Sequence, residues 1–313
     1  MLLAAAAAPA TAQTWPSKPV RFILNVSVGV FGDIVMRAGA VELQRQTGQP
    51  WVIENRAGGN FVIGANACKA AAADGYTVCQ VNEQSMSTNP HTIARLSYDP
   101  EKDFAPITNL YAQISAVVAS PEVRTLGELQ KAAVARGAAM NFGTLGPTSS
   151  QDILRQWMNQ RWKAQMTGVP YKAMGPILTG IVSGETSTTQ TSMGSVGPFV
   201  QGGRIRLLAV NSSKRLARFT DVPTYVEAGL GEFQEAKGHT WWGLVAPAGV
   251  PDPIIRRVNS EFARLFREPK FVELLDSQYL ESQIGTPEQF AAFMRRDRER
   301  AGMVVKLFNI PKE

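Results

Sequence analysis

Short apolar runs alternate with longer amphipathic segments along the first third of the chain. The run at residues 20–26 is apolar apart from Arg21 and Asn25, which is typical of a strand covered on both faces. The amphipathic segment that begins near Asp33 predicts a helix, and Gly48 is placed to end it. Two further strands are expected at residues 51–54 and 76–81, with a helix between them that ends at Ala73. This succession predicts a parallel sheet with right-handed crossovers.

The alternation continues through the rest of the chain. Strands are expected at residues 114–119, 140–143, 167–170, 207–211 and 241–246. Helices are expected at residues 125–136, at the segment with Ile153, Leu154, Trp157, Met158 and Trp162 on one face, and from Asp252, Lys270 and Pro287 onward. Thr286 and Gln289 form a capping-box pattern at the start of the last helix. With 313 residues, the chain is expected to be an α/β protein of two domains.

The first 13 residues have the character of a signal-peptide remnant. Leu2, Leu3 and five alanines form a short apolar run, and Ala10 and Ala12 supply the small residues that a signal peptidase needs. This pattern predicts export to the periplasm with cleavage near Ala12. No Lys or Arg precedes the run, so a frayed alanine-rich terminus is the alternative. No later stretch approaches the ~18 apolar residues needed to cross a bilayer.

Charge and cysteine content narrow the classes of partner. The net charge of +6 favours anionic partners in a general way. The basic residues are scattered, and the short run at residues 295–298 is not interleaved with aromatic residues as a nucleic-acid groove requires. We therefore expect no nucleic acid partner. Cys68 and Cys79 are compatible with a disulfide, which an exported protein permits, and equally with two buried free thiols.

The sequence lacks the common motifs of catalysis and of metal binding. Its two histidines, His91 and His239, form no H-x-x-x-H pair, and its cysteines form no C-x-x-C pair, so no zinc site is expected. There is no G-x-S-x-G elbow, no G-x-x-x-x-G-K-[ST] loop and no G-x-G-x-x-G after the first strand. We therefore expect neither an enzyme nor a bound cofactor or metal.

Four predicted turns combine glycine with small hydroxyl and amide residues, and each precedes a helix. They lie at residues 27–33, 55–64, 82–89 and 143–150. Backbone N–H groups at a helix N-terminus favour an anion, and in an open α/β sheet such turns gather at the carboxyl ends of the strands. Either these turns hold a small carboxylate with neutral donors, or their serines and threonines cap helices and nothing more.

Several short motifs occur in an order that resembles the Bug family, the extracytoplasmic solute receptors of tripartite tricarboxylate transporters. The motifs are WPSKPVR at residues 15–21, GQPWVIENRAG at 48–58, DGYT at 74–77, NP at 89–90, YDP at 98–100, KDF at 102–104, VPYK at 169–172, DVPT at 221–224, EAG at 227–229 and APAG at 246–249. None of them is specific alone. Their order and spacing over almost the whole mature chain carry the resemblance.

The resemblance implies a type II periplasmic-binding-protein fold, with two α/β lobes, a hinge and a ligand cleft between the lobes. The first lobe is expected to comprise residues 14–113 and 235–313, and the second residues 114–234. The implied ligands are di-, tri- or aromatic carboxylates. The implied partners are the membrane permease subunits of a tripartite tricarboxylate-type transporter, and we expect the receptor to be a monomer.

The resemblance also implies which residues bind the ligand. The first turn, at residues 27–33, is expected to contact one carboxylate through backbone amides and ordered water. The loop at residues 143–150 is expected to hold the other end of the ligand from the second lobe. The expected ligand-binding residues are Ser27, Gly29, Val30, Phe31, Asp33, Ser85, Thr144, Gly146, Thr148, Ser149, Ser150 and Thr191.

The chain departs from the family pattern at several positions. Val30 stands at the second glycine position of the first turn and restricts the backbone there. Phe31 either walls the cleft, which favours an apolar or aromatic ligand, or packs into the core. The other replacements are Thr148 for a glycine, Asp152 for a histidine, and Ser187 and Thr191 for two aspartates. The loss of two aspartates near the hinge side either suits an anionic ligand or is silent.

A periplasmic solute-binding receptor is therefore the expected function. Its mechanism is differential affinity, since a closed state makes contacts with both lobes that an open state lacks. One alternative is a sensory or regulatory protein that presents its liganded form to a membrane kinase, and nothing in the sequence separates this from transport. The other alternative is an enzyme on the same scaffold, since a fold does not determine its function.

Overall fold

The part of the chain that the structure describes forms two mixed sheets with helices packed against both faces of each, which confirms the α/β class. The computed structural model describes residues 15–146, 149–233, 240–307 and 310–312. The expected signal peptide at residues 1–13 lies outside the described residues, as do Thr148 and His239.

Among the described residues, the first sheet has six strands and includes the predicted parallel strands. Its strands are β1 (Val20–Leu24), β2 (Trp51–Asn55), β3 (Thr77–Asn82), β4 (Phe104–Gln113), β10 (Thr240–Pro247) and β11 (Leu280–Ser282). Their spatial order is β11-β4-β10-β3-β1-β2. β1 runs parallel to β2 and β3, whereas β10 runs antiparallel to both β3 and β4, so the sheet is mixed rather than wholly parallel.

The second sheet has five strands from the middle of the chain. They are β5 (Ser115–Ala119), β6 (Asn141–Thr144), β7 (Thr167–Pro170), β8 (Thr188–Ser192) and β9 (Arg206–Asn211). Their spatial order is β7-β6-β8-β5-β9. β6 lies parallel to β7 and β8, and β5 lies antiparallel to β8 and β9. A single residue, Ile114, separates β4 of the first sheet from β5 of the second.

The helices connect and cover these strands. They are α1 (Phe31–Thr47), α2 (Val62–Lys69), α3 (Asn89–Thr92), α4 (Leu126–Arg136), α5 (Ser150–Trp162), α6 (Met174–Ser183), α7 (Met193–Gln201), α8 (Asp252–Leu265), α9 (Pro269–Ser277) and α10 (Pro287–Leu307). A π-helical turn at Gln84–Thr88 follows β3.

Alternating side chains of β1 face two separate cores, as its continuous apolar run predicts. Phe22 packs with Met36 of α1 and Phe262 of α8 on one face of the first sheet. Ile23 points to the opposite face and belongs to a core with Phe290 of α10. The first sheet is therefore buried on both faces.

The second sheet is covered in the same way. Val117 packs with Leu154 of α5 on one face, and Val118 packs with Leu178 of α6 on the other. Val304 of α10 joins the core that contains Val117. The C-terminal helix therefore begins against the first sheet and ends against the second.

Several local predictions are confirmed by the backbone. Gly48 ends α1 with a left-handed φ of 71°, which glycine adopts without steric cost. Thr286 and Gln289 exchange hydrogen bonds between side chain and backbone at 3.2 and 2.8 Å, as a capping box requires. The expected end of the second helix at Ala73 is wrong. α2 ends at Lys69, because the N–H of Ala71 donates to the carbonyl of Cys68 at 3.0 Å and tightens the last turn.

Cys68 and Cys79 form a disulfide that joins α2 to β3, which resolves the two alternatives left open by the sequence. The Cα atoms of the two residues lie 6.0 Å apart. Both cysteines are buried in the core that contains Ile23.

Candidate functional site

The loop between β1 and α1 is organised around the carboxylate of Asp33. This carboxylate accepts hydrogen bonds from the N–H of Gly29 at 2.9 Å, from Arg37 Nε at 3.0 Å and from Asn55 Nδ2 at 2.9 Å. Asn55 also donates to the carbonyl of Val26 at 3.0 Å. Asp33 is buried, and its oxygens are engaged within the protein, so in this arrangement it shapes the loop.

The start of α1 lacks a side-chain cap. Val30 occupies the N-cap position and has no oxygen to accept from the first-turn N–H groups. Ser27, Gly29 and Val30 are exposed. The half-buried ring of Phe31 packs edge-to-face on Trp242, with a centroid distance of 5.6 Å. Phe31 therefore belongs to the apolar surroundings of the first sheet.

We expect Asp33→Asn to destabilise the protein by about 2 kcal/mol at pH 7, because hydrogen bonds to a charged group are lost. Burial alone would raise the pKa of Asp33, but the hydrogen bonds from Arg37, Gly29 and Asn55 hold it below its usual value. The ionised carboxylate therefore stabilises the fold above the unfolded pKa, and this contribution is lost as the pH falls through the folded pKa.

Urea denaturation of both proteins from pH 7 down to pH 3 measures this contribution. The difference in free energy of unfolding between wild type and Asp33→Asn should shrink on the acid side of about pH 4, the ordinary pKa of an aspartate. A difference that stays constant over this range would contradict the assigned role of the charge.

Ser85 lies within the turn that follows β3 and is fully buried. Its hydroxyl lies 3.0 Å from the carbonyl of Asn82 and 2.9 Å from Asn82 Oδ1, and it accepts from the N–H of Asn82 at 3.1 Å. Tyr98 donates to the carbonyl of Ser85 at 2.6 Å, and burial raises the pKa of this tyrosine to about 12. The hydroxyl of Ser85 thus fixes the turn.

The loop between β6 and α5 is held by its own hydroxyl groups. Thr144 Oγ1 accepts from the N–H of Gly146 at 3.3 Å. Ser149 caps α5 by accepting from the N–H of Asp152 at 3.3 Å, and its hydroxyl donates to the carbonyl of Gly146 at 2.8 Å. Asp152 pairs with Arg155 at 2.7 Å. Thr144 and Ser149, two of the expected ligand-binding residues, therefore have structural partners.

Two adjoining cavities lie beside these loops. The larger cavity has a volume of about 360 Å³ and is lined by residues from the segments that cover the first sheet and from those that cover the second. Asn60 and the π-helical turn contribute from the side of the first sheet, Ser149, Ser150 and Ile153 contribute from the side of the second, and α10 runs along both. The smaller, of about 240 Å³, lies at the carboxyl ends of β8 and β9. Ser150 and Thr240 line both cavities, which are therefore neighbours.

Only part of the expected ligand-binding set lines these cavities. Ser149, Ser150 and Thr191 do so. The expected residues that line neither cavity are Ser27, Gly29, Val30, Phe31, Asp33, Ser85, Thr144 and Gly146. The sequence did not single out Asn60, Gln84, Gln190 or Asn211, which do line them. Asn211 is a polar residue at the end of a predicted strand, and that position was the available signal, whereas Gln190 lies within the polar strand β8, which gave none.

Few charged side chains line the two cavities. Among the described lining residues of both cavities there is no Lys or Arg. Glu83 and Asp297 line the larger cavity, and each has a partner, Glu83 accepting from Thr88 Oγ1 at 2.8 Å and Asp297 from Trp241 Nε1 at 2.7 Å. Within the described ranges, no cluster of three or more His, Cys, Asp or Glu side chains is arranged to hold a metal ion. None of the described helices has the length and apolar character to cross a membrane.

Comparisons with known proteins agree with this architecture. The sequence model of the "Tripartite tricarboxylate transporter family receptor" matches residues 35–310. Protein BugT of Bordetella pertussis is 29% identical over 303 residues, which are 96% of this chain and 92% of that protein. The structure of R. palustris Rpa4515 with adipate is 25% identical, has a TM-score of 0.77, and covers 96% of this chain and 100% of its own. MatC of Rhodopseudomonas palustris with bound malate is 26% identical, has a TM-score of 0.72, and covers 93% and 100%.

Proposed function

Because the chain belongs to the family of receptors that serve tripartite tricarboxylate transporters, and the members of this family are solute-binding receptors, we propose that it captures a small carboxylate for such a transporter. The ligand is a di-, tri- or aromatic carboxylate, and the receptor hands it to the membrane permease subunits. It works as a monomer in the periplasm, after cleavage near Ala12, and it performs no catalysis.

The proposal includes two lobes that close on the ligand. The first comprises residues 14–113 and 235–313, and the second residues 114–234. The membership of the sheets supports this division, since β1–β4, β10 and β11 share one sheet and β5–β9 share the other. Ligand binding favours the closed state, because only in that state do both lobes contact the ligand.

The observation that carries the proposal is the larger cavity, whose walls come from both sheets. Asn60 and Gln84 lie on its first-sheet side, and Ser149 and Ser150 lie on its second-sheet side, at the N-terminus of α5. Backbone N–H groups at a helix N-terminus favour an anionic group. A volume of about 360 Å³ lies within the usual range of small-molecule sites.

The ligands of two similar proteins support the choice of a carboxylate. Rpa4515 is described with adipate and MatC with malate, and both compounds are dicarboxylates. Besides the carboxylates of Glu83 and Asp297, which have partners within the protein, the walls of the two cavities offer serine, threonine, asparagine and glutamine side chains and no described cation. Neutral donors are therefore the means by which this chain would hold the anion.

Calorimetric titration with a panel of di-, tri- and aromatic carboxylates tests the proposal, after thermal-shift screening. A ligand at 100 times its Kd stabilises the folded state by about 2.7 kcal/mol, which raises the melting temperature by several degrees. We expect one-to-one binding of at least one carboxylate, with the compound recovered unchanged. The absence of binding across the panel, or turnover of any compound, would refute the proposal.

A matched pair of variants tests the place of binding. Ser150→Trp puts an indole at a position that lines both cavities and should weaken binding at least tenfold while the unliganded protein remains folded. Ser260→Trp makes the same change at an exposed position of α8 and should bind as the wild type does. Equal affinities of the two variants would place the ligand elsewhere.

A further inference from the structure

A rear groove, with a volume of about 620 Å³, lies between the segment that follows β9 and the elements α9 and β11. Gln113 and Ser115 line the smaller cavity, whereas Ile114, which lies between them in the chain, lines the rear groove. At the end of β9, Asn211 lines the smaller cavity and Ser212 lines the rear groove. Neighbouring residues of an extended chain point to opposite sides, so the rear groove and the smaller cavity lie on opposite sides of these segments. A movement of the two lobes that narrows the cavity side therefore widens the rear groove.

Two direct contacts bridge the rear groove. Ser213, after β9, donates from its N–H to Glu281 Oε2 at 3.4 Å and from its hydroxyl to Glu281 Oε1. The rings of Tyr279 and Phe219 lie 6.4 Å apart, and both pack against the second-sheet core that contains Val118. Glu281 belongs to β11 of the first sheet, and Tyr279 directly precedes this strand. Both contacts therefore join the two lobes on the side away from the cavities.

The backbone of Tyr279 is held in a left-handed conformation, with a φ of 54°. Tyr279 is the second residue after the end of α9, where glycine or asparagine usually terminates a helix. A tyrosine is sterically disfavoured there, and such strain is kept where surrounding contacts require it. The contact of its ring with the second lobe supplies that requirement.

Opposite charges face each other across the rear groove. The charged lining residues are Lys214, Arg215 and Arg218 on the segment after β9, and Glu273, Asp276 and Glu281 on α9 and β11. Arg215 pairs with Glu227 at 3.0 Å, whereas Lys214 and Arg218 have no ion-pair partner within 4 Å among the described residues. The attraction between the walls weakens as their distance increases, so it also opposes widening of the groove.

We propose that the Ser213–Glu281 and Tyr279–Phe219 contacts form a latch that holds the lobes apart until a carboxylate binds. This inference rests on the proposed function and adds to it a control of affinity from the rear of the molecule. Closure on the ligand widens the rear groove and breaks the latch. The apparent affinity is reduced by the fraction of unliganded protein that is closed, so weakening the latch raises the affinity without any change at the cavities.

Calorimetric titration with malate, adipate, citrate and benzoate tests the latch in Glu281→Ala, Tyr279→Asn and the combined variant. Asparagine tolerates the left-handed backbone, so Tyr279→Asn removes the ring and keeps the end of α9. For any of these compounds that the wild type binds, we expect each single variant to bind about threefold more tightly and the combined variant about tenfold. Glu232→Ala, which breaks an exposed ion pair within the second lobe, is the matched control and should bind as the wild type does. Unchanged or weaker affinity of the combined variant would overturn the latch and leave the receptor intact.

A distance measured without ligand tests the latch separately from binding. Ile63 and Leu145 are exposed, and they lie on the segments that bring Asn60 and Ser149 to opposite sides of the larger cavity. Spin labels on Ile63→Cys and Leu145→Cys therefore report the separation of the lobes by pulsed electron resonance, since both native cysteines are in the disulfide.

We expect a larger population of short distances in the combined variant than in the wild type or in Glu232→Ala. Identical distance distributions would overturn the latch. A larger short-distance population, together with no binding of any carboxylate by the wild type, would refute the proposed function and leave the latch standing.

Discussion

Replacing Asp297 with alanine is expected to lower the free energy of unfolding by about 3 kcal/mol, the lower end of the range for breaking a buried ion pair. Asp297 lies on α10 and is 3% exposed. Its carboxylate accepts from Trp241 Nε1 at 2.7 Å and forms an ion pair with Arg300. The variant leaves a buried indole N–H and a guanidinium without their acceptor, and the 25% exposure of Arg300 moderates the cost.

Arg300 is partly buried and has two carboxylates near it, those of Asp297 and Glu83. Burial lowers the pKa of Arg300, and the negative charge of Glu83 opposes this shift. Urea denaturation at pH 7 measures the loss of stability, and Asp297→Asn, which keeps an acceptor for Trp241, should show a smaller loss. Glu232→Ala removes the partner of Arg161 in an exposed pair and should change stability by less than about 1 kcal/mol. Equal effects of Asp297→Ala and Glu232→Ala would contradict this account.

Removal of the disulfide is expected to cost about 3 kcal/mol. The bond closes a short loop, with a sequence separation of 11 between Cys68 and Cys79, and loop-closure entropy predicts a loss of this size. The Cys68→Ala, Cys79→Ala double variant should unfold at a correspondingly lower urea concentration. Because both sites are buried in an apolar core, alanine leaves no unpaired polar group there.

A reducing agent separates the cross-link from the packing. Wild-type protein with its disulfide reduced should lose stability to a similar extent, since the cross-link is absent in both cases. The double variant should be insensitive to the same treatment. A wild-type protein whose stability does not change on complete reduction would show that the cross-link contributes nothing.

The parallel strands were predictable because their apolar runs are continuous, whereas two central strands were not. β4 was missed because its sequence places Pro106, Thr108 and Asn109 among its apolar residues. Thr108 is nevertheless buried, because its hydroxyl donates to the carbonyl of Gly285, 177 residues away, at 3.0 Å. A hydrophobic pattern cannot reveal a polar residue whose partner is so distant along the chain.

The hydrophobic pattern also fails to predict β8, and for a stronger reason. Its sequence is TTQTS, and its first four residues are buried. Thr188 Oγ1 donates to the carbonyl of Val118 and Thr189 Oγ1 to that of Gly143, both at 2.7 Å. These hydroxyl groups are satisfied by neighbouring strands, so a wholly polar segment can lie at the centre of a sheet.

The candidate site was predictable at the level of loops but not of atoms. Ser149 and Ser150 were expected from a loop that precedes a helix, and Thr191 from the family resemblance; all three line the two cavities. Which polar atoms are free is decided by tertiary partners. Asp33 is engaged by Asn55, 22 residues away, whereas Thr191 Oγ1 has no partner among the described residues. The residue types alone gave no hint of this difference.

Ile114, the single residue between β4 of the first sheet and β5 of the second, limits how the two sheets could rotate against each other. The N–H of Ile114 donates to the carbonyl of Tyr279 at 3.1 Å, and its carbonyl accepts from the N–H of Met193 at 3.0 Å, so the two peptide groups that flank this residue are each held by a hydrogen bond. Its neighbours Gln113 and Ser115 line the smaller cavity. Any rotation of one sheet against the other about Ile114 would therefore have its axis beside that cavity. Near the axis the walls would move little, whereas points at the outer rim would move in proportion to their distance from it.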